Sequence, residues 1–535
     1  MPAHLPASCR RLTRRQLLQL ASAGVTVLAL PGNAWSKTRF SSDPFQLGVA
    51  SGSPTHDSIV LWTRLLQTGL LGASTLGDKP IAVRWEIAHD RQFTRMVRKG
   101  QILALPELAH SVHVELDGLQ PDHWYFYRFR AGEAVSATGR TRTFPAPDAE
   151  AAHMRVAYAS CQRWDHGYFS AYRHMLAENL DAVLFLGDYI YEYPTSANAV
   201  RVPPGGWVTT LDDYRARYAL HKGDAALQAM HAACPWLLTW DDHEVQNDYA
   251  GVNQGQSGEP VANFLARRAA AYQAYYEHMP LRASVLTGGL AGLASGTEMR
   301  IYGRAVFGKL ATFYVLDDRQ YRDVQACTPD DKPGAGTLNP AQCAIWKDPQ
   351  RTLLGPVQEQ WLDQALTNGS PGWNLIVQQT LFGARDVHKA GAGQTLRSDG
   401  WDGYPAARQR VTASLQQHRV ANPVVIGGDI HENWVGHVKA DYSQPDSATV
   451  GVEFCGTSIT SRGGGNSKTA ERLARNPHFI FADGERHGYG VVDISPRQLT
   501  TTLRVVDDVR REDTGIQTLA QFVVQAGKPA VQRVA

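Results

Sequence analysis

The 535-residue chain is poor in cysteine, has no excess of charge of either sign, and contains no apolar run long enough to cross a bilayer. Six cysteines are too few for a disulfide scaffold. Against 53 Lys and Arg stand 51 Asp and Glu, a formal net charge of +2, which excludes a protein that coats nucleic acid through a basic surface. The 48 Gly and 28 Pro lie near average usage, so collagen-like and low-complexity chains are excluded. No short internal repeat is present, which excludes a solenoid. What the chain does have is 43% hydrophobic residues, enough for large cores. At ~100–200 residues per domain the length suggests two to four domains.

The N-terminus has a character of its own. Arg10, Arg11, Arg14 and Arg15 come first, without an acidic residue, followed by the apolar run Leu17 to Leu30 and then Pro31 and Ala34-Trp35-Ser36. This basic, apolar, small-residue order predicts a secretory signal over 1–36. The run falls short of the ~20 residues of a spanning helix. Thr13-Arg14-Arg15-Gln16-Leu17-Leu18 resembles the twin-arginine motif of proteins exported already folded. The expectation is therefore a periplasmic or secreted protein with no stable membrane anchor, whose partner during export is the twin-arginine translocase. Removal of the four arginines takes the formal charge from +2 to −2. Folded export also permits a cofactor loaded in the cytoplasm to leave with the protein.

Residues 45–145 read as all-β. Ile81, Val83, Trp85 and Ile87 alternate, as do Val112, Val114 and Leu116, with turn residues at Gly100, Asp117-Gly118 and Pro121-Asp122. Leu119, Pro121, Tyr125 and Tyr127 resemble the end of a fibronectin-like sandwich with a tyrosine corner. After the linker-like Pro145-Ala146-Pro147-Asp148 the pattern changes. Short apolar strands at 154–159, 182–186, 236–240, 313–316, 375–377 and 423–426 alternate with helical stretches such as 165–180 and 261–280, which predicts a layered α/β domain over 150–510. Residues 511–535 read as a C-terminal tail.

Four of these strands run into residues that bind metals. They end in Ser160-Cys161-Gln162, in Gly187-Asp188-Tyr189-Ile190-Tyr191, in Asp241-Asp242-His243-Glu244 and in Gly427-Gly428-Asp429-Ile430-His431-Glu432. In open α/β sheets the carboxyl ends of strands converge on the ligand crevice, so four distant segments meet at one place. Taken singly, Asp188 is a helix cap, Asp242-His243 a salt-bridged pair and Cys161 a small buried hydrophobe. Taken together, they are buried carboxylates whose cost a central cation offsets. Tyr and Cys donors favour a trivalent ion such as Fe(III), and Asp242 and Asp429 supply hard oxygens to a second, divalent ion with Asp188 bridging. Two such cations can clamp an in-line displacement at phosphorus.

Gly187-Asp188-x-x-Tyr191 resembles the GDxxY block of purple acid phosphatases. The wider set resembles the PhoD-type alkaline phosphatase/phosphodiesterases, a metallophosphoesterase branch. The shared blocks include Leu47 through Pro54, Val60 through Arg64, Thr239 through Asn247, Leu316 through Arg322, Asp399 through Pro405 and Gly427 through Trp434. The resemblance implies a four-layer β-sandwich flanked by helices and preceded by a small all-β domain. It also implies ferric iron (Fe3+) and calcium (Ca2+) as cofactors. By the same match Cys161, Asp188, Tyr191 and His431 are the iron ligands, and Asp188 and Asp429 are shared with calcium. Asp242 and Asn247 compete for the remaining calcium position. His243 matches the histidine that contacts the substrate phosphate and assists proton transfer, with Asp188 alongside it in the catalytic set. Asp318 departs from the family, where a small or hydroxyl residue precedes the arginine.

The remaining candidates are weaker in pattern. Arg319 and Arg322 are either phosphate ligands or solvated surface, and Trp401 and Tyr404 either wall the pocket or belong to a core. Cys327 and Cys343, close together in a Pro/Gly-rich loop of an exported protein, predict a disulfide. The functional expectation is an exported enzyme that hydrolyses phosphate esters and frees phosphate for uptake, attacking phosphorus with a metal-activated hydroxide. Its alternatives are a phosphodiesterase acting on a cell-wall or phospholipid-derived diester, a non-haem iron oxidase, and a binding module that has lost activity. No Ser or Thr sits at a strand end beside a base, so no phospho-enzyme is expected.

Overall fold

The computed structural model describes residues 39–67, 76–255, 260–289, 292–293, 298–328, 334–387, 393–444 and 446–535. The signal expected over 1–36 lies outside the described residues. No helix among the described residues is long and apolar enough to cross a membrane.

Two mixed sheets carry the molecule. The larger has ten strands, in spatial order Val531–Arg533, Ile516–Gln525, Gln498–Val506, Gly488–Ile494, Met154–Ala159, Ala182–Phe185, Trp236–Leu238, Val49–Gly52, Ile59–Arg64 and Ser111–Leu116. The smaller has seven, in the order Gly303–Phe307, Ala311–Val315, Trp373–Val377, Pro423–Gly427, Thr449–Cys455, Asn433–Lys439 and Phe479–Asp483. Successive side chains of a strand point to opposite faces, and both faces here are apolar. Val156, Tyr158 and Leu184 of one sheet meet Phe313, Val315, Leu375, Ile426 and Phe454 of the other in a shared core. Ala157, Val183 and Phe185 face the opposite way, under the helices Leu211–Lys222, Ala225–Ala233 and Phe264–His278. Tyr314, Ile376 and Val425 face outward on the other side, under Gly355–Thr367 and Pro405–Gln417. The result is four layers, helix–sheet–sheet–helix, as expected.

The N-terminal sandwich is joined to this body more closely than the sequence suggests. One of its sheets is formed by Met96–Ala104, Ile81–Ala88, Trp124–Ala131, Ala134–Val135 and Gly139–Arg142. The other is the far end of the ten-stranded sheet, because Gly52 pairs with Trp236 in parallel register. Leu61, Val83, Val114, Tyr127 and Phe129 fill the space between. The tyrosine corner is present, with the Gln120 N–H donating to Tyr125 Oη over 2.9 Å.

Two expectations are corrected. Residues 511–535 do not form a tail: Ile516–Gln525 and Val531–Arg533 are strands of the ten-stranded sheet. Ala520, Phe522 and Val524 alternate into the core between the sheets, a period-two signal that holds the chain end down. The helix expected over 165–180 is α-helical only over Ser170–Met175, with single 3-10 turns at Trp164–His166 and Leu176–Glu178. Gly167 interrupts it in an extended conformation, so close to Val509 that a Cβ there would stand 2.7 Å from its carbonyl oxygen.

Candidate metal centre and its cavity

Strands Met154–Ala159, Ala182–Phe185 and Trp236–Leu238 run parallel, and so do Trp373–Val377, Pro423–Gly427 and Thr449–Cys455 of the facing sheet. Their carboxyl ends meet. A Cβ on Gly428 would stand 2.5 Å from Ser160 Oγ, and one on Gly187 2.4 Å from Asp241 Cβ, so only glycine lets these loops touch. Four donors sit there in the left-handed region: Cys161 at φ 60°, Asp188 at 57°, Asp429 at 66° and His431 at 56°. Non-glycine residues held this way cost on the order of 1–3 kcal/mol each and persist where the surroundings over-determine them. Here the Cys161 N–H donates to the Gly187 carbonyl over 3.1 Å and the Gln162 N–H to that of Asp188 over 3.0 Å. The buried Glu244 carboxylate accepts from the N–H groups of Asp188, Tyr189 and Asp241 at 3.1, 2.6 and 2.8 Å.

Ligand atoms of Cys161, Asp188 and His431 lie within 4.8 Å of one another. Tyr191 Oη joins them, donating to Asp188 Oδ2 over 2.7 Å and lying 3.2 Å from His431 Nε2. His431 Nδ1 donates to the Arg462 carbonyl over 2.9 Å, which turns Nε2 toward the cluster. Asp188, Asp242 and His243 form a second such group, and Asp242, Asp248 and Asp399 a third. Burial and the neighbouring Asp188 push the Cys161 thiol and the Tyr191 phenol well above their ordinary ranges. Burial also pushes Asp242 up to about 6. At Asp188 burial acts the same way, but His243, His431 and Tyr191 outweigh it and hold the carboxyl at about 2. Asp188 Oδ1 and Asp242 Oδ1 are buried and accept no hydrogen bond among the described residues. Such a concentration of buried anionic donors with free lone pairs fits a cation.

His243 is held by Glu192, whose Oε2 lies 2.6 Å from Nδ1. Burial opposes the charge on this imidazole, yet Glu192, Asp188 and Asp242 push it up to about 10. Glu192 also accepts from the Asn247 N–H over 2.8 Å. Asp188, Asp242, His243, Asn247, Asp429 and His431 all border one cavity of about 270 Å³.

The other candidates are placed differently from one another. Trp401 borders the cavity, its Nε1 donating to Gln378 over 3.1 Å. Tyr404 is fully buried behind it and donates to the Asp323 carbonyl over 2.5 Å. Arg319 and Arg322 are not surface residues, and they lie behind the cavity lining. The Arg319 guanidinium binds Asp241 directly and Asp399 at 2.6 Å, and lies 3.8 and 3.6 Å from Asp242 and Asp429. Arg322 donates to the Tyr249 carbonyl and pairs with Asp399 at 3.0 Å. Cys327 and Cys343 are disulfide-bonded, and Cys161, Cys234 and Cys455 are free and buried.

Sequence reasoning passed over four residues that matter here: Glu192, Glu244, Asp248 and Asp399. The first two stand directly after Tyr191 and His243, and Asp399 opens a quoted block, so adjacency to recognised donors was the available signal. Asp248, directly after the calcium candidate Asn247, carried the same signal.

Two family models cover most of the chain: the PhoD-like phosphatase matches residues 156–503 and the PhoD-like phosphatase N-terminal domain matches 32–145. Alkaline phosphatase D of Bacillus subtilis (strain 168) is 43% identical over 537 aligned residues, 97% of this chain and 89% of that protein. A solved structure of PhoD superposes with a TM-score of 0.86 at 43% identity, covering 93% of each chain. The chain therefore belongs to the PhoD-like phosphatase family and is a phosphoric ester hydrolase.

Proposed function

We propose that this hydrolase is an exported alkaline phosphatase/phosphodiesterase that frees phosphate for uptake and uses ferric iron and calcium. One observation carries the reading: three donor clusters are linked through Asp188, common to the first two, and Asp242, common to the last two, and both residues border a single cavity. Cys161, Asp188, Tyr191 and His431 would hold the iron, since a thiolate and a phenolate suit a strongly Lewis-acidic ion. Asp188, Asp429 and either Asp242 or Asn247 would hold calcium through hard oxygens. Bound there, the two ions would acidify water and neutralise the charge that gathers on phosphorus.

The chain's own residues supply the rest. Glu192 occupies His243 Nδ1, leaving Nε2 to carry a proton between the cavity and an ester oxygen. Glu244 keeps the Asp188 and Asp241 loops in their strained shapes. Arg319 balances part of the charge of Asp241, Asp242, Asp399 and Asp429 from behind, which leaves a surplus of negative charge for the ions to neutralise. Trp401, fully buried in the core beside the cavity, backs the lining from behind.

The test is metal analysis and visible absorption of purified protein, together with turnover of a chromogenic phosphate ester in the absence of oxygen. Iron, calcium, a charge-transfer band and anaerobic turnover are expected. A colourless, iron-free but active enzyme would overturn the metal assignment and leave the hydrolase standing. Strict dependence on oxygen would favour the oxidase.

A further inference from the structure

One border of the cavity is a small module with its own core, which reaches the third donor cluster where the Ala335 N–H donates to Asp248 Oδ2 over 3.3 Å. Ala326, Leu338, Cys343, Trp346 and Leu396 pack together, and the Cys327–Cys343 bridge closes the segment. A two-stranded ribbon crosses this core, with Thr337 paired to Arg397 and Leu338 to Leu396. The Ser398 N–H donates to the Gly336 carbonyl over 2.9 Å, and the Gly336 N–H donates to Ser398 Oγ over 2.8 Å, which locks the register. Trp346 Nε1 donates to the Asp402 carbonyl over 2.6 Å, fastening the module to the stretch that carries Trp401.

Strand alternation then decides where Arg397 goes. Leu396 and Ser398 are buried, so Arg397 lies on the opposite face, exposed and on the lining of the cavity. Its guanidinium has no hydrogen-bond or ion-pair partner among the described residues. The acidic side chains near it are already occupied from behind: Asp399 by Arg319 and Arg322 at 2.6 and 3.0 Å, and Asp402 by Arg408 at 2.7 Å. The second arginine of the lining, Arg385, is tied to Glu432 at 2.8 Å. Among the described residues the cavity lining therefore presents one guanidinium without an ion-pair partner, alongside the carboxylates of Asp188, Asp242 and Asp429. A planar fork of this kind binds carboxylate and phosphate oxygens in pairs.

We propose that Arg397, positioned by the disulfide-closed module, forms a subsite for a second anionic group carried on the leaving group of the phosphate ester. The donor clusters handle the phosphoryl group that is transferred. Arg397 selects esters whose organic part carries a further carboxylate or phosphate, and it acts on binding. The proposal rests on the phosphate-ester reaction, which phenyl phosphate reads separately.

The experiment compares phenyl phosphate with its 3-carboxy and 4-carboxy derivatives on the intact, metal-replete enzyme. The native enzyme should show the lower KM for at least one carboxylated ester. Arg397→Ala should raise that KM about tenfold, in line with loss of one charge-assisted hydrogen-bonded pair. Its KM for phenyl phosphate, and kcat for all three esters, should change less than twofold. Arg397→Lys should recover part of the preference. Equal shifts for charged and uncharged esters, or no shift for any, overturn the subsite. Cys327→Ser with Cys343→Ser should reproduce the selective rise to a smaller extent, about threefold, because the ribbon loosens while the arginine remains. Leu396→Val, which keeps the bridge, is the gentler form of that test. Native selectivity in both would overturn the positioning role of the module.

Discussion

The floor and the wall of the cavity are built on opposite plans. The floor consists of strand ends from two facing sheets, with four donors at positive φ and carboxylates packed around the buried Arg319. Everything there is held by something else, and little of it touches solvent. The wall is a loop module with a five-residue core, one disulfide and one exposed arginine that has no ion-pair partner among the described residues. The floor spends stability on chemistry, since strain and buried charge both destabilise the metal-free chain. The wall is stabilised locally by a covalent tie, which leaves its side chains free to vary with the substrate. On the proposal for Arg397, chemistry and selectivity belong to different parts of one site.

That separation can be broken experimentally. Asp188→Asn should lower kcat by more than ~10³-fold, roughly 4 kcal/mol of barrier, and remove bound metal. Full turnover in a metal-replete preparation would falsify the role of the floor. Arg319→Met leaves four carboxylates facing one another and should cost about 3–5 kcal/mol of stability in denaturant titrations of the metal-free protein. An unchanged midpoint would mean that those carboxylates are already neutralised without it.

Replacing both bridge cysteines by serine removes a cross-link between residues 16 apart and should cost about 3 kcal/mol. In contrast to the floor variants, kcat on phenyl phosphate should stay within twofold, and a parallel loss of kcat would show that the wall also shapes the floor. Glu192→Gln should lower kcat about 10–100-fold through the orientation of His243, with the fold intact by circular dichroism. Arg397→Ala is the mildest: stability within ~0.5 kcal/mol, with only the KM of charged esters affected.

Much of the floor was legible beforehand, because it is written in short segments. A buried strand followed directly by Asp, His, Cys or Tyr is a local pattern, and the rule that parallel strands point their carboxyl ends to one crevice does the assembly. The wall was legible only as a disulfide. That Leu396 would be buried, leaving Arg397 on the cavity, follows from a pairing with Leu338 nearly sixty positions earlier in the chain, which no local pattern contains. Arg319 and Arg322 show the same limit from the other side. An arginine reads as surface by default, and only the convergence of Asp241, Asp242, Asp399 and Asp429 makes a buried guanidinium tolerable. The C-terminal strands are a different case, since the alternation of Ala520, Phe522 and Val524 was present but short.

By itself the sequence determined the layered α/β class, the all-β N-terminal region, the strand-end donors and the family, because each depends on residue type and on contacts within a few positions along the chain. The tertiary structure decided that the N-terminal sandwich shares its sheet with the catalytic layers, that the chain end is a pair of strands, and which charges face one another. Those outcomes depend on pairings between residues far apart in the chain, such as Gly52 with Trp236 and Arg319 with Asp399, whose partners are chosen by burial and charge in three dimensions.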